Sequence, residues 1–507
     1  MAKADALSGV RYLTFAGGGG KGIVYLGVIK ALEEAIHGRP RDRSWTRIQE
    51  PERVPYRTAS FPPEVFPDTP IIDLDQPINE RPIIGISGAS AGAITAFMLA
   101  MGMSSRKIFE FTETLLRRRL GPSTERVQVS PFETFFGEPN ATVMRAVNDD
   151  QVNEEHPFRD DRSRTNAIEA VATGIADGLV WLNTEPHEPM SIAMQRVFRT
   201  KPAVPVNGSG VGIFGSSLIS GFGLFTGLEV RFLFEELLTK QLLDKIELSV
   251  WIGMFGLLPK KASSVSFAVF MQLTGVDLVI TGTNLTTKRP VVFSFGNTPD
   301  FPVTEAVGIS MSIPLLFKPV RNHARVIKAK GRDNQYNKMH FGYYVDGGML
   351  NNVPIHVFDH CIQQVHLHKL NLRVASPIAW SLDRAKAEGW SESHLAAQGV
   401  SRDQYKALSF VFEGSVQQDL AQRASGSAWP AISIYAGELL DTLLYSANEG
   451  QFQSDRRRAE LVFLDAEGVE TADFSSIALD ALRASPKRDI KMMAIMNAYN
   501  SAWDRIE

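Results

Sequence analysis

An α/β fold, with a central and mostly parallel sheet covered by helices on both faces, is predicted from three observations. A β-prone run, a glycine turn and a helical run follow one another at the N-terminus. The same strand–turn–helix order returns near residue 82. Further strand and helix candidates then alternate along the chain, as a sheet with crossover helices requires.

The first unit begins with Arg11-Tyr-Leu-Thr-Phe-Ala16, short and β-prone. Gly17-Gly-Gly-Gly-Lys-Gly22 follows, and Ile23, Leu26, Ile29, Leu32 and Ala35 then share one helical face. Residues 38–82 differ in kind: nine of the 27 prolines fall there, with many charges and no glycine after Gly38. Proline removes backbone donors and disfavours α at the residue before it, so a surface excursion or disordered insert is expected. The second unit is Pro82-Ile-Ile-Gly-Ile-Ser87, a Gly/Ser turn, and an apolar helix from Ala91 to Met101.

Residues 104–119 read as a helix ending in Arg117-Arg118-Arg119, cations that a helix C-terminus favours. Residues 122–220 are polar and read as an inserted subdomain. Leu228–Leu243 is predicted helical; strands are predicted at Leu278–Thr283, Val291–Phe295, Gly342–Val345, Gln364–Leu370 and Leu461–Leu464, and a closing helix at 486–506. The domain expectation is a catalytic unit over 9–370, interrupted at 38–82 and 122–220, with a mainly helical extension over 371–507 packed on it. Both inserts are expected to lie outside the catalytic core and to govern access or partner binding.

The 507 residues carry 53 basic and 56 acidic side chains, so no global positive field gathers nucleic acid. The single cysteine, Cys361, excludes an internal disulfide and a cysteine-based zinc site. No H-E-x-x-H and no EF-hand loop is found, and neither metal nor cofactor is expected. The stretch before Gly17 lacks the apolar run of a signal peptide. The longest uncharged run, Pro202–Leu228, holds seven glycines and reads poorly as a membrane span. A cytoplasmic protein, soluble or peripheral on membranes, is expected.

Three motifs carry chemistry. The loop Gly17, Gly18, Gly19, Gly20, Lys21, Gly22 sits between strand and helix, where backbone N–H groups bind negative charge. It fails as a phosphate-binding P-loop, because Gly22 stands where Ser or Thr is needed and Phe15 where the first glycine is needed. A dinucleotide fingerprint matches at Gly17, Gly19 and Gly22, but the proline-rich stretch replaces the second strand and its acid. An oxyanion hole is the third use, and the loop alone leaves the last two open. The second motif, Gly88-Ala-Ser90-Ala-Gly92, lies between an apolar strand and an apolar helix, the setting of a nucleophile elbow. The third, Asp346-Gly347-Gly348, follows Gly342-Tyr-Tyr-Val345 and places a carboxylate at a strand end.

In this order the motifs resemble those of the patatin-like phospholipases, bacterial-type lipid acyl hydrolases. Ala306-Val-Gly-Ile-Ser-Met-Ser-Ile-Pro314-Leu-Leu-Phe317-Lys-Pro319-Val is similar to that family's serine/proline segment, and Gly223-Leu-Phe-Thr-Gly227 to its Gly-Leu-Phe segment. The resemblance spans roughly 9–37, 82–120, 220–240 and 277–360, with longer spacings between motifs than a compact member has. It implies a three-layer α/β/α fold and a Ser-Asp dyad: Ser90 as nucleophile, Asp346 as general base, and the 17–22 loop as oxyanion hole. It also implies a lipid substrate at a phospholipid membrane surface, compatible with a regulatory protein or small-molecule activator. Lys21 would anchor the loop or face a headgroup.

A Ser-Asp-His triad is the rival, with His356, His360, His366 and His368 as candidates. Leu248-Ser-Val-Trp-Ile-Gly-Met-Phe-Gly-Leu-Leu-Pro259, followed by Lys260-Lys261, reads equally as a lipid-facing patch or a buried helix. The glycine-rich 206–228 segment reads as a lid or a packed loop.

Overall fold

The computed structural model describes residues 7, 10–56, 60–78, 80–119, 126–136, 223–225, 227–322, 342–359, 406–412, 461–466, 468–469 and 473–506. The expected strand at 364–370, the 206–222 part of the lid segment, most of the 122–220 insert and the boundary at 370 lie outside them.

Twelve strands are found among these residues. They are β1 (Val10–Phe15), β2 (Gly85–Gly88), β3 (Leu116–Arg119), β4 (Arg126–Val129), β5 (Gly223–Phe225), β6 (Asp277–Asn284), β7 (Arg289–Phe293), β8 (Leu315–Phe317), β9 (Val320–Asn322), β10 (Gly342–Asp346), β11 (Lys406–Phe412) and β12 (Leu461–Leu464). The main sheet has the order β12-β11-β1-β2-β6-β10-β9, with β7 also paired to β6. From β12 to β6 every pairing is parallel, and β7, β10 and β9 join antiparallel.

β2 and β6 are buried along their whole length, so both sheet faces are covered. Strand alternation sends Leu13, Phe15, Ile86, Leu278 and Ile280 into the large core. Tyr12 and Val279 point the other way, into a smaller cluster where Tyr12 stacks on Phe358 at 4.5 Å. The helices are α1 (Tyr25–Ile36), α2 (Ala91–Ala100), α3 (Ser105–Glu113), α4 (Leu228–Gln241), α5 (Leu248–Phe255), α6 (Phe267–Thr274), α7 (Val303–Ser310), α8 (Gly348–Asn351), α9 (Ile477–Leu482) and α10 (Lys487–Ile506). α2 is buried throughout, which explains its lack of a polar stripe.

Four expectations change. The helix expected over 104–119 ends at Glu113, and Arg117–Arg119 lie on β3, paired antiparallel with β4. The backbone at Thr114 is already extended (φ −62°, ψ 122°), so the cationic run does not cap a helix. The described part of 38–82 is neither a surface excursion nor disordered. Trp45, Ile48, Val54, Phe61, Phe66, Ile71 and Ile72 are buried in the large core. Trp45 meets Phe61, Phe66 and Tyr499 at centroid distances of 5.3, 5.7 and 5.1 Å. Proline forbids helix and central strand but not burial, and side chains satisfy the irregular backbone. Asn497 both donates to Ile48 O and accepts from Ile48 N, each at 2.9 Å.

The stretch expected as a helical extension likewise contributes to the sheet. β11 pairs with β1 and β12 with β11. The described start of the 122–220 insert is also built in: Phe135 is buried in the core, and Ser130 Oγ donates to Phe474 O at 3.0 Å.

Candidate active site

Ser90 occupies the turn between β2 and α2 with φ 50° and ψ −123°, one of three non-glycine residues at positive φ among those described. This strain is the backbone signature of a nucleophile elbow. The flanking glycines are required by space. A Cβ on Gly88 would lie 2.1 Å from Gly92 O, and one on Gly92 would lie 2.1 Å from Phe15 O. The Ser90 N–H donates to Ser310 Oγ at 2.9 Å, from the end of α7.

Asp346 reaches the same place by a different route. β1, β2 and β6 run parallel, and Gly88 pairs with Ile280. β6 continues past β2, and antiparallel β10 lays Asp346 beside Gly282, two residues beyond Ile280. Ser90, two residues past Gly88, and Asp346 therefore meet at the carboxyl edge of the parallel strands, where open α/β sheets place ligands. Gly347 must be glycine, because a Cβ there would sit 2.3 Å from Thr281 O on β6.

The Asp346 carboxyl is fully buried. One oxygen, Oδ1, accepts the Gly348 N–H at 2.7 Å, while Oδ2 has no hydrogen-bond partner. Burial pushes its pKa up to about 7, against the pull of the Ser90 hydroxyl and the Gly348 N–H. The Ser90 hydroxyl is thus close enough to influence the carboxyl, but its Oγ is directed at Met311 Sδ, 3.9 Å away.

The glycine loop closes the third side. A Cβ on Gly17 would lie 3.0 Å from Ser90 Cβ and 2.2 Å from Asn352 Oδ1. Gly17 N–H donates to Asn352 O at 3.1 Å, and Asn352 Nδ2 donates back to Gly17 O at 3.2 Å. Asn352, six residues past Asp346, thereby fastens the loop to the segment after the aspartate. Lys21 N–H is spent on Gly18 O at 3.1 Å, at the start of the two-turn 3₁₀ segment Gly19–Val24. The N–H groups of Gly18, Gly19 and Gly20 precede the first bonded turn and are the orphan donors that such a start leaves. Of the predicted loop, then, the Gly17 N–H is committed to Asn352 O and the Lys21 N–H to Gly18 O. Lys21 itself is nearly buried.

A cavity of about 60 Å³ begins at Gly19, Gly20 and Ala91 and runs between α1, α2 and α3. Its walls are mainly apolar, with Leu26, Ile29, Ile94, Met98 and Ile108 among them, and residues 473–476 close one side. Among the described residues no group of three or more His, Cys, Asp or Glu side chains converges as a metal site would require. His356, the one described triad candidate, is exposed on the turn after α8. The other three candidates lie outside the described residues.

Ser310, Ser312 and Asn352 were not predicted as site residues. Ser312 O accepts the Asp346 N–H at 2.9 Å, so one Ser-Met-Ser segment braces both Ser90 and Asp346. That segment was visible as a family-like stretch, but what it braces is non-local.

Comparison with known proteins adds the family. The model described as patatin-like phospholipase matches residues 82–359, just over half of the chain. The chain belongs to the patatin-like phospholipase family. The match includes Ser90 and Asp346 and begins after the glycine loop, which this patatin-like protein nonetheless packs against Ser90. It is also 28% identical over 94 residues to "Probable lipid hydrolase 463L" of Invertebrate iridescent virus 6, a stretch covering 18% of this chain and 27% of that protein. Among solved structures it is similar to VipD from Legionella pneumophila, at 17% identity over 98% of this chain and 67% of that one. The TM-score is 0.34, a likeness too distant to rest anything on. No described helix is long and apolar enough to cross a membrane.

Proposed function

We propose that this patatin-like hydrolase cleaves carboxylic ester bonds of phospholipids or lysophospholipids through Ser90, Asp346 and an acyl-enzyme. The observation that carries the reading is the pairing of a strained, buried serine with a buried carboxylate whose Oδ2 is left unpartnered.

Ser90 Oγ attacks the ester carbonyl carbon while its proton passes to Asp346, and the carbonyl oxygen takes the negative charge. The Gly18–Gly20 N–H groups receive that charge; such donors are worth roughly 10²–10³ each in kcat. Collapse of the intermediate breaks the bond to the alcohol, which takes the proton from Asp346. Water then attacks the acyl-Ser90 ester, gives a proton to Asp346, and the fatty acid leaves as Ser90 regains its own. An ordinary aspartate is too weak a base for this at neutral pH, and one pushed up to about 7 is matched to it. The small apolar cavity beside Gly19 and Gly20 gives the first methylenes of an acyl chain an apolar surface when the carbonyl oxygen rests on the loop.

Product analysis on defined diacyl phospholipids, lysophospholipids, triacylglycerols and a short soluble ester, wild type against Ser90→Ala, tests the reading. Serine-dependent fatty-acid release from the phospholipids supports it. Release only from the neutral lipid or soluble ester makes the enzyme a general carboxylesterase. Retained release by Ser90→Ala removes the nucleophile from the mechanism.

A further inference from the structure

The phospholipid reading above requires contact with a bilayer, and one region of the surface is built for that contact. Leu248, Val250, Ile252, Met254 and Leu257 are five of the ten exposed large apolar side chains among the described residues, and they fall within ten consecutive positions. Exposed apolar groups scattered singly need no explanation, but a concentration marks an interaction site. α5 carries no charged residue, and Trp251 is its one buried side chain. Trp251 anchors it: the indole N–H donates to Leu258 O at 2.7 Å, and the ring lies 4.6 Å from Phe255. Gly256 (φ 64°) then turns the chain, leaving Leu257 at 101% exposure. The Lys260 ammonium donates to Ile246 O and ties the two ends of the excursion together.

We propose that Leu248–Leu257 is a membrane-insertion element that seats this protein on an anionic bilayer. Two features favour lipid over a protein partner. At about 100° per residue, Leu248 and Ile252 lie on one flank of α5 and Val250 and Met254 on the opposite flank. A shaped protein groove contacts one flank, whereas the boundary between headgroups and acyl chains surrounds both. The aromatic side chains that usually anchor protein interfaces, here Trp251 and Phe255, face inward.

The base of the element carries Lys245, Lys260 and Lys261 against Asp244 and Glu247, a small cationic excess at the depth of the headgroups. An eight-residue helix is about 12 Å long, comparable to the roughly 5–10 Å by which interfacial elements enter a leaflet. The helix before the element, α4, also packs toward the site. α5 follows α4 closely, and Arg231 on α4 pairs with Glu305 on α7 at 2.7 Å. α7 ends at Ser310, the acceptor for the Ser90 N–H.

The test is vesicle flotation of the full chain with phosphatidylcholine alone and with phosphatidylserine added, comparing wild type, Ile252→Glu, Leu257→Glu and Lys245→Glu/Lys261→Glu. Burying one such aliphatic side chain is worth enough that each Glu variant should bind vesicles at least about tenfold more weakly. The double lysine variant should lose the preference for phosphatidylserine. Melting temperature, monomer elution and soluble-ester hydrolysis should stay at wild-type levels. Unchanged flotation of the Glu variants overturns the proposal, as does a wild type that never floats. A fall in melting temperature would mean that another part of the chain covers the face, and a change in oligomeric state that a second copy does; either overturns it too. Flotation does not depend on turnover, so absent hydrolysis would remove the phospholipase reading without deciding this one.

Discussion

Two buried carboxyls, Glu33 on α1 and Asp346 at the end of β10, are alike in titration and opposite in architecture. Burial pushes Glu33 up to about 8 and Asp346 up to about 7. Glu33, however, is fully partnered: Oε1 accepts the Ser105 N–H at 2.7 Å and Oε2 accepts the Ser105 hydroxyl, joining α1 to the start of α3. Asp346 has one oxygen held by Gly348 and the other left without a partner beside a strained serine. A raised pKa alone marks burial; a raised pKa with an oxygen left open marks a place for a proton to arrive.

The largest expected effect separates the two directly. Asp346→Asn removes the base and should lower kcat/KM for any ester substrate by about 10⁴-fold, as should Ser90→Ala, with the double variant little worse than either. Glu33→Gln should leave it within about threefold. Steady-state kinetics on a short soluble ester, with circular dichroism to confirm folding, decides this. Comparable losses at both positions would mean that Asp346 is structural like Glu33.

Stability should register Glu33 even though the rate does not. A carboxyl whose folded pKa lies above its unfolded value holds more protons when folded, so it favours the fold at low pH. That advantage is lost as pH rises from the unfolded value, 4.5 for Glu33, toward the folded one near 8. Wild type should therefore be less stable at pH 8 than at pH 5, by roughly 3–4 kcal/mol from this group. Glu33→Gln should flatten the difference, since its amide can still accept the Ser105 N–H and Ser105 Oγ already reaches Pro67 O at 3.3 Å. Urea midpoints at the two pH values measure it: Asp346 leaves a residual slope of the same sign, and a profile as steep as that of wild type would show that Glu33 is ionised in the folded protein.

The sequence was most legible where function and local backbone coincide. Gly88, Ser90 and Gly92 announce the elbow because a tight turn between an apolar strand and an apolar helix leaves few alternatives. It was least legible where burial is decided by distant partners. Composition in 38–82 reported what the backbone cannot do, and gave no sign that Trp45 packs on Tyr499 of α10. The Arg117–Arg119 run was read as a helix end because its strand partner, β4, is specified only by pairing. β11, Lys-Ala-Leu-Ser-Phe-Val-Phe, falls in the stretch expected to be mainly helical and was not among the predicted strands, although its apolar and aromatic run carries that signal. Its place beside β1, nearly 400 residues earlier, did not follow from that signal. Ser310, Ser312 and Asn352 were visible residues with invisible partners, since their roles exist only once β6, β10 and the 17–22 loop converge.

The pH dependence of the rate carries the comparison to the active site. Asp346 must be ionised to accept the Ser90 proton, so kcat/KM should rise with pH through an apparent pKa near 7. A profile flat from pH 5 to 8 would mean an ordinary carboxylate or a different base. Glu33→Gln should leave this limb in place, because Glu33 is not in the proton path.

The smallest effect concerns Met311. The Ser90 hydroxyl is directed at the Met311 thioether, a weak acceptor, while Asp346 Oδ2 stands without a partner. Met311→Leu conserves volume and removes the sulfur, so the hydroxyl is left with the carboxylate as its acceptor. A hydrogen bond to the ionised form stabilises that form, so the acid limb of the rate profile should move to lower pH. The expected shift is about half a unit or less, equivalent to about 0.7 kcal/mol. Comparing limb positions for wild type and Met311→Leu on one soluble ester measures it. A shift to higher pH would mean that the apolar replacement acts only by drying the carboxyl further, and that the Ser90–Asp346 hydrogen bond is set by something other than the competing sulfur.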